Sequence, residues 1–485
     1  MRASAAPASD MPRLAPSRLA VPVLMRVLPQ ALRSRHGARI GEGLARADII
    51  ATGTDDTARS QRGALFAFAI RVASAFIAYI SQIFVARWLG EHDYGVFVWV
   101  WTAMIVLSLL VSLGFPSAAV RFVPEHRVRG EEDLLRGFLR GSRLIGFAGG
   151  TAAALLGAAL VWRFGGLMDG PYHALFALCL ICLPMLCLGS VQDGIARAHD
   201  WIDLALGATY LVRPLLILAF MLGAIAAGLP GDARTAVLAA IAATWATSLI
   251  QLLLLQRRLA RAVPRGPRAY RMGAWFKVAL PIFLVEGFYQ LLTNVDILIA
   301  GAFVAPERVA VYFAAVKTLA LAHFVYFAVK AGAAHRFAAY HAGGDERALA
   351  RFAADTVRWT FWPTVAVTAV LLVCGPFLLS LFGPRFSQGQ GLLVILSVGI
   401  VARAAVGPAE SVLTMAGRQM ACAALYATTL GVNVALNLIL IPRYGLEGAA
   451  IATAAAMCFE AVVLLAVTRR LLGFTMFVFA PRAAP

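Results

Sequence analysis

Residues 189–201, GSVQDGIARAHDW, lie without a gap over residues 407–419, GPAESVLTMAGRQ, 218 positions downstream. The same offset carries Tyr94 to Tyr312, Arg140 to Arg358, and Phe164-Gly165 to Phe382-Gly383. Each match is weak alone, because apolar helices resemble one another by chance. The shared offset is what argues for an internal repeat.

The repeat sits in a chain that is not a soluble globule. Of 485 residues, 61% are hydrophobic and 14% charged, the mean hydropathy is +0.78, and windows of about 20 apolar residues recur almost throughout. Twelve spans can be read: 64–86, 96–119, 144–162, 174–191, 204–229, 236–255, 275–302, 309–333, 359–382, 391–416, 421–441 and 448–467. The fourth is short and broken by Pro184; the seventh is long and holds Pro281. Six spans per repeat is an even number, so both halves enter the membrane in the same sense and are related by a pseudo-twofold axis along its normal, as in transporters. The expected fold is all-α and integral to the membrane, with about twelve transmembrane helices in two six-helix bundles. The divisions are a basic, disordered cytoplasmic tail over 1–62, lobes over 63–272 and 273–470, and a cytoplasmic tail over 471–485.

The net charge of +18 comes from basic residues gathered in the tail over 1–62 and in loops such as RFVPEHRVRGEEDLLRGFLRGSR (121–143) and QRRLARAVPRGPRAYRMG (256–273). That is the positive-inside bias, which places both termini in the cytoplasm. Basic residues spread over membrane-flanking loops argue against nucleic acid as a partner. In the tail, LAVPVLMRVL is interrupted by Arg26 and is not a signal peptide. All six cysteines fall inside spans, and the CLIC of 179–182 lacks companion ligands, so it reads as apolar filler rather than a metal or redox site. No phosphate-cradling glycine motif and no hydrolytic constellation stands in the short loops. Neither an enzyme, nor a metal, nor another cofactor is expected.

Four segments carry a resemblance. ARWLGEHDYGVFVWVWTAMIVLSLLVSLGFPSAAVRFVPEH (86–126), LFGPRFSQGQGLLVILSVGI (381–400), VLTMAGRQM (412–420) and NVALNLILIPRYGLEGAAIATAAA (433–456) resemble the bacterial polysaccharide transporter family, the O-antigen flippase branch of the multidrug/oligosaccharidyl-lipid/polysaccharide exporter superfamily. The likeness covers about 63–470 and rests on glycines, an aromatic and loop geometry. It implies a central cavity between two bundles that opens alternately to each side of a bacterial inner membrane. The implied partners are membrane lipid, a polyprenyl-diphosphate-linked saccharide as cargo, a coupling proton or sodium ion, and other polysaccharide-assembly membrane proteins. An ion-coupled multidrug antiporter of the same superfamily is the alternative, and a polytopic saccharide-transferring enzyme a further one.

Charges inside spans are costly, about 2.5–3.5 kcal/mol each at a helix centre, so each needs a partner, water or a function. In the first span Arg71, Ser74, Ala78, Ser81 and Gln82 share one face; in the seventh Glu286, Gln290 and Thr293 do. Arg71 is a candidate for the cargo's diphosphate and Glu286 for the coupling ion, with a structural Arg71–Glu286 pair as the competing reading. In the tenth span Arg403 and Glu410 lie on one face about 10.5 Å apart along the axis, either as a neutralising pair or as an anion site. Asp296, grouped with Asn294 in the seventh span, is a second ion candidate unless solvated near the outer end. Arg213 and Glu460 are lesser candidates, and Thr429, Asn433 and Asn437 read as interhelical hydrogen bonding. In the eighth span Tyr312, His323, Tyr326 and Lys330 share an arc of about 60° on an ideal helix, and Lys317 points about 140° from Lys330. One arc or the other faces the cavity. Lys317 is a candidate cavity cation, His323 and Tyr326 sugar-binding or proton-carrying residues, and Lys330 a headgroup anchor.

Overall fold

The computed structural model describes residues 56–164 and 171–480. The chain falls into two compact units, Met1–Arg71 and Val72–Pro485. The first is described only as helical backbone from Asp56, so most of the expected basic tail lies outside the described residues, as does the Arg71 side chain.

The second unit is helical, with no strand among the described residues. Its first half runs α1 (Asp56–Ser112, here from Val72), α2 (Phe115–Val128), α3 (Glu132–Phe164), α4 (His173–Cys179), α5 (Leu183–Ala198), α6 (Ile202–Gly207), α7 (Arg213–Ala226) and α8 (Ala233–Ala262). Its second half runs α9 (Met272–Leu292), α10 (Val295–Phe303), α11 (Pro306–Leu319), α12 (His323–Ala342), α13 (Glu346–Ser380), α14 (Gln390–Ala404), α15 (Ala409–Met415) and α16 (Gln419–Leu472).

Ten described helical stretches are long and apolar enough to cross a bilayer. Two of them reverse midway. Gly90 (φ 74°, ψ 178°) breaks α1, and beyond it Tyr94 reaches back to hydrogen-bond Gln82 at 3.0 Å, twelve residues earlier, where a straight helix would put them about 18 Å apart. Gly445 (φ 60°, ψ −130°) does the same in α16, and Gly448 packs on the Leu440 carbonyl with no room for a Cβ. Both glycines hold backbone conformations that L side chains resist. With these reversals the crossings among the described residues number twelve, in two lobes. The reversal falls at Gly445, and Pro442 stays within the helix.

Small residues permit close packing inside the second lobe. Ala449, Ala450, Ala452, Ala454 and Ala456 are buried on α16, and a Cβ on Gly399 of α14 would come within 2.8 Å of the Ala454 Cα. Lipid-facing flanks stay apolar, as at Leu155, Trp162, Val373 and Phe377. Thr429, Asn433 and Asn437 are fully buried, but the amide of Asn437 bonds Asn433 on its own helix, so the expected interhelical bonds are not formed there. All six cysteines are free.

The lobes close on each other at one end of the bundle. Arg87 donates to the carbonyls of Leu381 (2.6 Å) and Ser380 (2.9 Å), His92 meets Glu307 at 2.7 Å, and Glu91 faces Arg385 at 3.6 Å. Beneath them Tyr94 sits among Phe313, Phe382 and Phe386, Gly95 lies against the Pro306 carbonyl where a Cβ would overlap it, and Trp99 donates to the Leu298 carbonyl at 3.0 Å. At the opposite, arginine-rich end, contact between lobes runs through α2 and α9: Phe115 packs edge-on to Phe276, and Gly114 abuts the Ala279 carbonyl.

Helix α9 belongs to both lobes. Trp275 and Ala279 join the first-lobe core around Phe138, Val191 and Leu255, whereas Val285, Phe288, Tyr289 and Leu292 pack against the second-lobe core around Val412 and Tyr426. Pro281, which cannot donate its backbone bond, falls between the two groups. Past α16 the chain turns back: Val478 donates its N–H to the Ala405 carbonyl at 3.0 Å, and Met476 and Val478 are buried.

Candidate functional site

Beneath the closed end lies a cavity of about 670 Å³ whose wall is shared by both lobes. The first lobe supplies Tyr79, Gln82, Trp101, Thr209 and Arg213; the second supplies Tyr289, Gln290, Asn294, Asp296, Lys317, His323, Tyr326, Arg403 and Glu460.

The wall's first-lobe cation comes from a distorted helix. Residues Ala208–Val212 form a π-helical turn between α6 and α7, a feature frequent at functional sites. The turn carries Thr209 and Tyr210 and delivers Arg213 to the wall, where its guanidinium lies 5.8 Å from the Trp101 ring centroid. Thr209 in turn donates to Asp193 at 2.7 Å, and Gln251 donates to the same carboxylate at 2.6 Å.

The second-lobe wall corrects the ideal-helix reading of the eighth span. Helix α11 ends at Leu319, Ala320–Ala322 form a 3₁₀ turn, and α12 restarts at His323. Three residues at about 120° instead of 100° rotate the downstream side chains by about 60°, bringing His323 from about 120° to about 60° from Lys317. Lys317, His323 and Tyr326 therefore line one cavity, so the two arcs are not alternatives. Lys317 lies over the Phe313 ring at 4.9 Å. Tyr312 is off the wall, fully buried, and donates to Asp296 Oδ2 at 2.6 Å.

Asp296 is 3% exposed, so it is not solvated near an end of the bundle. It also accepts from Thr453 at 3.2 Å and from the Ile297 N–H at 2.9 Å. It forms no salt bridge among the described residues, and neither do Arg213 or Lys317.

Arg403 is held differently. Its guanidinium donates to Glu460 and to Glu410, both at 2.7 Å, and to the Gly407 carbonyl at 2.9 Å, while Lys330 reaches Glu410 at 3.1 Å. Two cations thus face two carboxylates, a neutral cluster in which Arg403 presents its flank to the cavity and to the Tyr326 ring. Lys330, expected as a headgroup anchor, belongs to this cluster.

The remaining expected residues divide. Gln82, Gln290 and Asn294 line the cavity; Gln82 accepts from Tyr94, and Asn294 donates to the Gln290 carbonyl at 2.9 Å. Ser74 is buried but does not reach the wall. Glu286 is exposed at the lobe boundary, where Ser117 Oγ donates to its two oxygens at 2.6 and 2.8 Å; it is off the cavity wall. Sequence reasoning underrated Arg213, whose signal was an arginine beside a proline within an apolar run, and overlooked Tyr79, Trp101 and Tyr289, which apolar composition conceals. No cluster of metal-ligand type occurs among the described residues.

The polysaccharide biosynthesis protein family model matches residues 60–334, and a second model, MatE, matches residues 281–439. No curated protein matches the chain. Among solved structures, an inward-facing multidrug resistance MATE family transporter of the MOP superfamily superposes with a TM-score of 0.67 at 15% identity, over 82% of this chain and 94% of that one. A MOP superfamily transporter from Pyrococcus furiosus, described as having a binding pocket of reverse polarity, gives 0.61 at 16% identity, over 85% and 94%. An outward-facing MATE family transporter gives 0.61 at 16%, over 84% and 95%. These likenesses establish the two-lobed fold, and the first family model spans more than half the chain. The chain belongs to the polysaccharide biosynthesis protein family and has the fold seen in MOP superfamily transporters.

Proposed function

We propose that this transporter carries a lipid-linked anionic saccharide, a polyprenyl diphosphate sugar, from the inner to the outer leaflet of a bacterial inner membrane by alternating access. One observation supports it above the others: Arg213 and Lys317 come from different lobes to one cavity, each against an aromatic ring and neither in a salt bridge among the described residues. A diphosphate bridging them would tie the lobes together, and Tyr79, Trp101, Tyr289 and Tyr326 offer faces to sugar rings. With the arginine-rich end in the cytoplasm, the closed end is the outer one and the cavity faces inward.

Asp296 is the residue we assign to the coupling ion. It is a buried cavity carboxylate with hydroxyl and backbone donors and no cationic side chain bonded to it. A proton or sodium ion entering there supplies about 2.3 kcal/mol per charge across 100 mV. Glu286, on the lobe boundary, is assigned no ion role.

The competing reading, export of cationic drugs, is disfavoured by two cavity cations. Reconstituted vesicles decide between them. Ion-dependent flipping of a fluorescent polyprenyl diphosphate saccharide, with no transport of a cationic dye, is the expected result; the reverse pattern overturns the reading.

A further inference from the structure

A second pocket, of about 380 Å³, opens on the outer wall of the first lobe and shares no residue with the central cavity. Arg140 and Arg143 of α3 and Arg268 of the interlobe linker line it, together with Gln256 of α8 and the apolar Leu144, Phe147 and Leu252. No carboxylate lines it.

That lack is unusual for its neighbourhood. Arg136 is paired with Glu132 and Asp133, Arg129 with Glu125, and Arg258 with Asp203. Arg140, Arg143 and Arg268 form no salt bridge among the described residues, and Arg143 Nε donates to the Leu139 carbonyl at 2.7 Å. Three like charges gathered without a counter-charge are mutually repulsive and call for an anion.

The site is also built to stay assembled. Ala269, next to Arg268, donates its N–H to the Asp133 carbonyl at 2.9 Å, and Arg136 donates to the carbonyls of Pro267 (2.8 Å) and Pro264 (3.0 Å). The linker is thereby fixed to α3, which holds Arg268 beside Arg140 and Arg143. Arg143 stands where α3 passes from charged sequence into the apolar run 144–162. Beyond the arginines Leu144 and Phe147 are exposed along α3, as are Ile250, Leu253 and Leu254 along α8. Cations at the membrane boundary above an exposed apolar wall match a phosphate headgroup above acyl chains.

We propose that Arg140, Arg143 and Arg268 bind the phosphate headgroup of an anionic phospholipid, whose chains lie along Leu144, Phe147 and Leu252. The test is native mass spectrometry of the full chain in uncharged detergent, titrated with tetraoleoyl cardiolipin or dioleoyl phosphatidylcholine. Cardiolipin is expected to be retained and phosphatidylcholine not. Arginine-to-alanine changes at 140, 143 and 268 should each weaken retention about fivefold, and together about a hundredfold. Equal weakening by a control triple change at the exposed Arg347, Arg351 and Arg418 of the second lobe would overturn the site in favour of general surface attraction. So would displacement of the lipid by inorganic phosphate at matching concentration, which would make the ligand a free anion. Should the triple variant fail to fold, photo-crosslinking of a cardiolipin analogue to the unaltered protein reads the same site. Labelled peptides from 140–147 and 252–268 support it, and labelling confined to other helices refutes it.

Discussion

Tyr312 donates a 2.6 Å hydrogen bond to the carboxylate of Asp296, and its repeat counterpart Tyr94 donates one of 3.0 Å to the amide oxygen of Gln82. Both tyrosines are fully buried, and both reach back from the second helix of a lobe to the first. One lobe thus holds a neutral pair and the other an acid. Asp296→Asn makes the second lobe neutral like the first. It should leave the fold intact and uncouple transport from any proton or sodium gradient, measured as flipping with and without an imposed gradient. Unaltered gradient response would remove Asp296 from coupling.

The cavity cations should separate by phenotype. Arg403→Ala leaves Glu410 and Glu460 buried without their shared partner and should destabilise the protein by about 3–5 kcal/mol, read as a fall in Tm in detergent. Arg213→Ala and Lys317→Ala strand no bonded carboxylate, so their Tm should hardly move while flipping falls at least tenfold. A large loss of Tm with either of these two would recast that residue as structural.

Gly95 is where the closed end is tightest, since any Cβ there overlaps the Pro306 carbonyl. Gly95→Ala should push the lobes apart at that end. A cysteine pair replacing His92 and Glu307, whose side chains meet at 2.7 Å, should crosslink readily in the parent and poorly with Gly95→Ala added. Undiminished crosslinking would mean that the strain is absorbed elsewhere.

Acid should weaken the first lobe near His199. Burial holds this imidazole below the usual histidine range; its Nδ1 lies 2.9 Å from the Ile195 carbonyl, and its ring stacks on Trp201 at 4.6 Å. The unfolded chain takes up the proton more readily than the folded one, so stability falls as pH drops through the ordinary histidine range. His199→Gln should flatten that part of the Tm–pH profile; an identical profile would assign the acid sensitivity to other groups.

The twelve-crossing plan and the two lobes were legible in the sequence because apolar length and an even-numbered repeat are properties of composition and spacing alone. The cavity was only partly legible. An angular wheel assumes an unbroken helix, and the 3₁₀ turn at Ala320–Ala322 carries no glycine or proline to announce itself, so an ideal wheel separates Lys317 from His323. For Asp296 the choice between an ion site and solvation near the outer end stayed open, because only its position along the span was readable, whereas Tyr312 and Thr453, 16 and 157 residues away, were needed to see it enclosed. Glu286 differs in the opposite sense: it shares a stripe with Gln290 and Thr293, which line the cavity, but itself lies past the cavity's rim.

The division of α9 between two cores has a mechanical meaning. Anchored by Trp275 at one end and Tyr289 at the other, the helix acts as a lever whose short arm rides with the first lobe and whose long arm rides with the second. Under the alternating access proposed above, rocking of one lobe against the other would bend the rod, and the missing backbone bond at Pro281 is its weakest point. That point would place the pivot inside a membrane crossing, whereas the interlobe linker is strapped to α3 by Asp133 and Arg136.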